Sequence, residues 1–195
     1  MNSRERILSK IKVSKPDLIE LPTINSDIFF DGRDLLEEFT KKTELAGGNV
    51  FNALSNSDVI TQTLLMFPDS KFNFSILKGT SDFNTISLDN INDPREMEDL
   101  DILVLESDLA VAENGAVWIT DNQISMRVLP FIAKHLVIVI IKDNIVPFLH
   151  QAYHKLSSEE TNFGVFISGP SKTADIEQSL VIGAQGALSL SVFLL

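Results

Sequence analysis

Two short runs in this chain hold residues that could do chemistry. The first is Phe166-Ile167-Ser168-Gly169-Pro170-Ser171-Lys172-Thr173-Ala174-Asp175-Ile176-Glu177, where apolar residues give way to a dense set of small polar ones. Ser168, Ser171 and Thr173 can donate hydroxyl hydrogen bonds, Lys172 supplies a positive charge, and Gly169-Pro170 marks a turn. A strand leading through such a run into a helix would present free N–H groups and a positive dipole end, suited to a carboxylate or phosphate. Asp175 and Glu177, in the first turn of that helix, favour the dipole but repel an anion unless they point away. Plain capping by Thr173 or Asp175 is the simpler reading of the same residues. The second run, Glu113-Asn114-Gly115, places a carboxylate beside a strong turn signal, because Asn and Gly both tolerate positive φ. Glu113 is either a solvated hairpin residue or a carboxylate aimed into a cleft as general base, acceptor or nucleophile. Gln185 and Gly186 reach the same cleft only if the topology brings their loop round.

Other chemistries lack their residues. The chain has no cysteine, which excludes disulfides, thiolate catalysis and thiolate-held metal or iron–sulfur sites. Gly164 and Gly169 have the separation of P-loop glycines, but Pro170 stands where that motif needs Lys. No Gly-x-Gly-x-x-Gly and no Gly-x-Ser-x-Gly occurs, so neither a nicotinamide or flavin fingerprint nor a nucleophile elbow is present, and no cofactor is expected. His150 and His154 have metal-ligand spacing, yet Gln151 replaces the glutamate of a zincin and no third ligand is evident, so no metal is expected. The formal charge of −11 disfavours nucleic acid and anionic membranes. The longest apolar run, Leu136–Ile141, falls far short of a membrane span, which needs about 20 residues. The charged N-terminal stretch lacks an apolar signal core, and a cytoplasmic location is the expectation.

The elements that must hold these runs are legible as alternation. His135–Ile141 is an almost unbroken apolar run, expected of a strand buried on both faces, and Ile102–Glu106, Gly164–Ser168 and Leu188–Leu195 read as further strands. Between and before them lie helical patterns at Asp34–Leu45, Ser57–Phe67, Met126–Ala133, Asn144–Leu156 and Ala174–Ile182. This order predicts a three-layer α/β domain, an open, mainly parallel sheet with helices on both faces. Ligands of such sheets bind outside the carboxyl ends of the strands. Residues 1–22 read as a separate arm, a short amphipathic helix followed by Pro16 and Pro22, and residues 23–195 as the domain. The arm could dock on a neighbouring subunit.

The two runs also carry a family likeness. Ala110-Val111-Ala112-Glu113-Asn114-Gly115-Ala116-Val117 is similar to the A-E-T-G-T hairpin of LUD-domain proteins, the LutC/YkgG lactate-utilisation family. Ile167 to Glu177 resembles that family's S-G-P-S-x-T-A-D-I-E signature, and Leu180 to Ala187 its L-V-x-G-x-H-G-P segment. The resemblance implies a fold like that of the NagB/RpiA/CoA-transferase-like group, comprising glucosamine-phosphate and ribose-phosphate isomerases and CoA-transferases. It also implies a role in oxidising L-lactate to pyruvate beside iron–sulfur partner subunits, with this chain as an accessory or small-carboxylate-binding subunit. Asn114 stands for the family's Thr, and Gln185 with Ala187 for its His and Pro; a glutamine cannot transfer a proton near neutral pH. Glu113-Asn114-Gly115 further resembles the S-E-N-G segment of class I CoA-transferases, which implies an alternative: an enzyme using Glu113 as a carboxylate nucleophile. A sensor of a sugar phosphate or carboxylate is the third reading.

Overall fold

A computed structural model describes residues 2–16, 19–20, 22, 25–29, 32–88, 91, 93–157, 161–174 and 180–195. Its helices are α1 (Ser3–Val13), α2 (Leu35–Leu45), α3 (Asn56–Met66), α4 (Leu129–Ile132) and α5 (Leu149–Leu156). Its strands are β1 (Asn49–Asn52), β2 (Asn73–Ser75), β3 (Ile102–Ser107), β4 (Ala110–Val111), β5 (Ala116–Thr120), β6 (His135–Ile140), β7 (Ile145–Val146), β8 (Gly164–Ile167), β9 (Lys172–Ala174), β10 (Leu180–Ile182) and β11 (Ser189–Leu194). Internal contacts divide the chain into Met1–Asp31 and Gly32–Leu195. No helix among the described residues is long and apolar enough to cross a membrane.

Within the first unit, α1 is closed by a capping box in which Asn2 and Glu5 satisfy each other's backbone N–H groups. Its Ile7, Leu8 and Ile11 stripe is about half exposed.

The second unit is built on a five-stranded sheet, order β1-β11-β6-β3-β2, with every pair parallel. The apolar runs form its centre because both of its faces are covered. Ile102, Val104, Val137, Val139 and Phe193 meet Val59 of α3 on one face. Leu103, Leu105, Leu136, Ile138, Leu190 and Val192 meet Phe39 of α2 and Leu129 of α4 on the other. Each strand divides its side chains between the two clusters at period two, as pleating requires. The central parallel sheet flanked by helices is therefore as expected.

The second face also carries a second sheet, built from the hairpin around Glu113–Gly115 and the expected Gly164–Ser168 strand, whose pairing the sequence did not suggest. Strands β7, β4, β5 and β8, in that order, form a mixed sheet in which β5 pairs antiparallel with both β4 and β8. Val117, Ile119 and Ile145 point into the shared core, whereas Val111, Trp118 and Val146 point outward to Ala152 of α5. The expected helix over Asn144–Leu156 is shorter than read. Ile145–Val146 pairs with β4, Pro147 interrupts, and the helix begins only at Leu149. Ser55 caps α3 by accepting from the Asp58 N–H.

Asp101 anchors the amino end of β3. Its carboxylate takes the Lys134 ammonium at 2.7 Å and the N–H groups of Lys71 and Phe72 at 2.8 and 3.1 Å. Burial pushes this carboxyl up, but the Lys134 bond and the two amides outweigh it and hold its pKa at about 2. A carboxyl lowered on folding stabilises fully above its unfolded pKa of about 4, and the gain is lost as pH falls toward 2. Asp101→Asn is expected to cost about 1–3 kcal/mol at neutral pH and to flatten the acid limb of stability between pH 4 and 2, as read by urea unfolding across that range.

Candidate functional site

Strand β8 delivers the first chemical run. It is the edge strand of the mixed sheet, paired with β5 from Val117↔Ile167 to Thr120↔Gly164. Past Ile167 the chain turns through Ser168–Ser171. Gly169 adopts φ of 73°, and a Cβ there would collide with the Ala46 carbonyl at the end of α2. The Ser171 N–H then donates to the Ala187 carbonyl at 2.9 Å, and the Ser171 carbonyl accepts from the Gly183 N–H at 3.0 Å. These two bonds bring the Gly183–Ala187 loop against the Ser168–Lys172 turn.

Both described ends of the helix expected over Ala174–Ile182 are strand instead, and residues 175–179 lie outside the described residues. Lys172–Ala174 and Leu180–Ile182 pair as an antiparallel hairpin, with Lys172 opposite Ile182 and Thr173 opposite Val181. Thr173 donates its hydroxyl to the Val181 carbonyl at 3.4 Å. The β-branched residues Thr173, Val181 and Ile182 suit a pleated pair, and the Ser171 bonds fix its open end. Ser171–Thr173 therefore do not open a helix as expected, because Lys172–Ala174 is a strand. Asp175 and Glu177 lie outside the described residues.

The second run meets the first directly. Ala112–Gly115 forms the turn of the β4–β5 hairpin, and the Asn114 carbonyl accepts the Ser168 hydroxyl at 2.7 Å. Asn114 Oδ1 accepts from the Ala116 N–H at 3.1 Å, closing the turn. Gly115, with φ of 63°, lies against the backbone of Thr43, whose hydroxyl donates to the Gly115 carbonyl at 3.3 Å. The end of α2 thus touches both runs.

Glu113 is exposed, and its Oε2 accepts the Leu149 N–H at 2.9 Å, the first free amide of α5. The carboxylate serves the positive end of that helix from a neighbouring turn. Glu113→Ala is expected to cost about 1 kcal/mol in denaturant unfolding, and Glu113→Gln less, because the amide oxygen still accepts.

A hollow of about 310 Å³ opens where these segments converge. Ser168, Gly169, Pro170, Ser171 and Lys172 form one side of it and Gln185, Gly186 and Ala187 another. Pro130 and Phe131 of α4, Leu136 of β6 and the strand Val165–Ile167 complete it. Of the predicted residues, Glu113, Asn114, Gly115 and Thr173 are outside this lining. Leu136 is the second residue of β6 and Ala187 precedes β11, so the hollow lies at the amino ends of the parallel strands, not at their carboxyl ends. The expectation fails because β8 belongs to the mixed sheet, and its direction is set by antiparallel pairing to β5. The apolar wall of Pro130, Phe131, Leu136 and Val165 was missed. Its residues looked like ordinary core or helix positions.

Lys172 is the one ionisable side chain in the described lining. Its ammonium lies beside Gly47, just past the C-terminal turn of α2, where the negative dipole end favours a cation. Hydroxyls, an amide and one cation without a carboxylate suit a small anion. No group of metal-ligating side chains occurs among the described residues.

Comparison with known proteins agrees with this architecture. A crystal structure of a DUF162 family protein from Deinococcus radiodurans superposes with a TM-score of 0.60, covering 82% of this chain and 95% of that one at 14% identity. "Lactate utilization protein C" of Anoxybacillus flavithermus is 38% identical over 81 residues, 41% of this chain and 37% of that protein. "Lactate utilization protein C 1" of Bacillus mycoides is 31% identical over 118 residues, 57% of this chain and 50% of that protein. The protein of the first name from Bacillus pumilus is 36% identical over 98 residues, with 47% and 40% covered. Each match spans half of the curated relative or less. The LUD domain family model, by contrast, matches residues 36–195 without a break in its span, which takes in both sheets, α2 and every described residue of the hollow, and the chain belongs to that family.

Proposed function

We propose that this chain serves lactate utilisation by binding a small carboxylate in the hollow between the Ser168–Lys172 turn and the Gln185–Ala187 loop, as an accessory subunit beside iron–sulfur partners. The observation that carries the reading is the lining itself: one lysine, two serines and a glutamine, with no carboxylate among its described residues. The names of the relatives supply the substrate class, and the absence of cysteine accords with clusters held by other chains. Glutamyl chemistry at Glu113 has less support, because that carboxylate is engaged by the Leu149 amide and stands outside the lining.

Calorimetric titration of the full chain with L-lactate, pyruvate and phosphate tests the reading. Binding of at least one carboxylate is expected, weakened tenfold or more by Lys172→Ala and largely restored by Lys172→Arg. Absence of heat with every carboxylate, or binding indifferent to Lys172, refutes it.

A further inference from the structure

The size and walls of the hollow speak to which carboxylate it takes. At the volume a water occupies in the liquid, about 30 Å³, its 310 Å³ corresponds to roughly ten waters. A three-carbon hydroxy acid would fill about a third of that and leave the remainder wet. About half of the surface around that remainder is apolar. Phe131 is exposed and Val165, Phe166 and Ile167 are half-buried in the lining, against the single charge of Lys172 among its described residues. Phe131, on the short helix α4, is 41% exposed even though α4 buries its neighbours Leu129 and Pro130. An aromatic ring left facing such a space gains by covering with apolar atoms.

We infer that the preferred ligand is an amphipathic monocarboxylate, a 2-hydroxy or 2-oxo acid with an alkyl or aryl tail longer than that of lactate. Its carboxylate meets Lys172 and the Ser171 hydroxyl, and its tail lies along Phe131 and Val165. This deepens the reading above and rests on it. A tail costs nothing in charge pairing and replaces water on an apolar wall, so each added methylene is worth about fourfold in affinity until the space is filled. A ligand carrying a second charge at its far end would have to desolvate it against Phe131 with no partner.

The experiment is a calorimetric series on the full chain: L-lactate, then 2-hydroxybutyrate, 2-hydroxyhexanoate, 2-hydroxyoctanoate and phenyllactate. The expected result is a dissociation constant falling about fourfold per methylene over the first few steps, with phenyllactate bound at least tenfold more tightly than lactate. Phe131→Ala should cut the gain per methylene below twofold, and Lys172→Ala should weaken every member of the series. Lysine-dependent binding in which lactate is the tightest ligand overturns this inference and leaves the carboxylate reading standing. Affinity that climbs with length but ignores both Lys172 and Phe131 is adsorption elsewhere and overturns it too. No binding by any acid overturns both. A thermal melt of each variant, checked against the parent chain, separates a lost site from a lost fold.

Discussion

Alanine at Gly115 should lower the unfolding free energy by more than about 3 kcal/mol, roughly 6–12 °C in melting temperature for a chain of this size. Two costs combine. The φ of 63° is unfavourable for any residue with a Cβ, by about 1–2 kcal/mol. The new Cβ would also collide with the backbone of Lys42 and Thr43, atoms of a helix that cannot swing aside as a side-chain tip can. The helix involved is α2, whose Phe39 is fully buried in the larger core cluster, so displacing it disturbs the packing of the parallel sheet. Gly79 provides the control. Its φ of 80° is similar, but nothing lies near a Cβ built there, so Gly79→Ala should cost only about 1 kcal/mol. Equal losses for the two variants in urea unfolding would show that the close approach of α2 to the hairpin carries no weight.

Gly169→Ala should be comparably destabilising and should also disable the hollow. Its φ is 73°, and the incoming Cβ meets the Ala46 carbonyl, the last turn of the same helix. Relief requires the Ser168–Ser171 turn to move away from α2. That movement breaks the 2.7 Å bond from Ser168 to Asn114 and shifts Ser171 from its 2.9 Å bond to Ala187. The hydroxyls and Lys172 then lose their common geometry. Carboxylate binding by whatever folds should fall by at least tenfold in calorimetry, with melting lowered by several degrees. A variant that melts low yet binds normally would mean that the turn supports the fold alone.

The parts of this molecule that were readable in advance were those whose signal is local. Leu136–Ile140 announces itself because a strand covered on both faces has no polar side to show. The cap Asp34 and the pair Gly47-Gly48 bracket α2 for similarly local reasons. The failures are places where distant pairing overrules a local preference. Ala174 to Ile182 has the spacing and the Ala, Glu and Gln content of a helix, yet its flanking residues are held across the hairpin by Thr173–Val181 and Ser171–Gly183 bonds. Strand β7 is two residues long and exists only because β4 runs beside it. Site residues divide in the same way. Ser168, Ser171, Lys172 and Gln185 were visible as polar residues in unusual density, whereas Phe131 and Leu136 become part of a hollow only through the topology. Glu113 was visible too, but what it does depends on Leu149, thirty-six residues on.

The order of the parallel sheet sets a constraint on how the chain acquires its structure during synthesis. Strand β1 pairs only with β11, and β11 separates it from β6. Until residues Ser189–Leu194 have left the ribosome, β1 has no strand to pair with, and β6 has one open flank rich in Val and Ile. Nascent polypeptide stalled short of that point would present sticky apolar surface and be a natural client for chaperones.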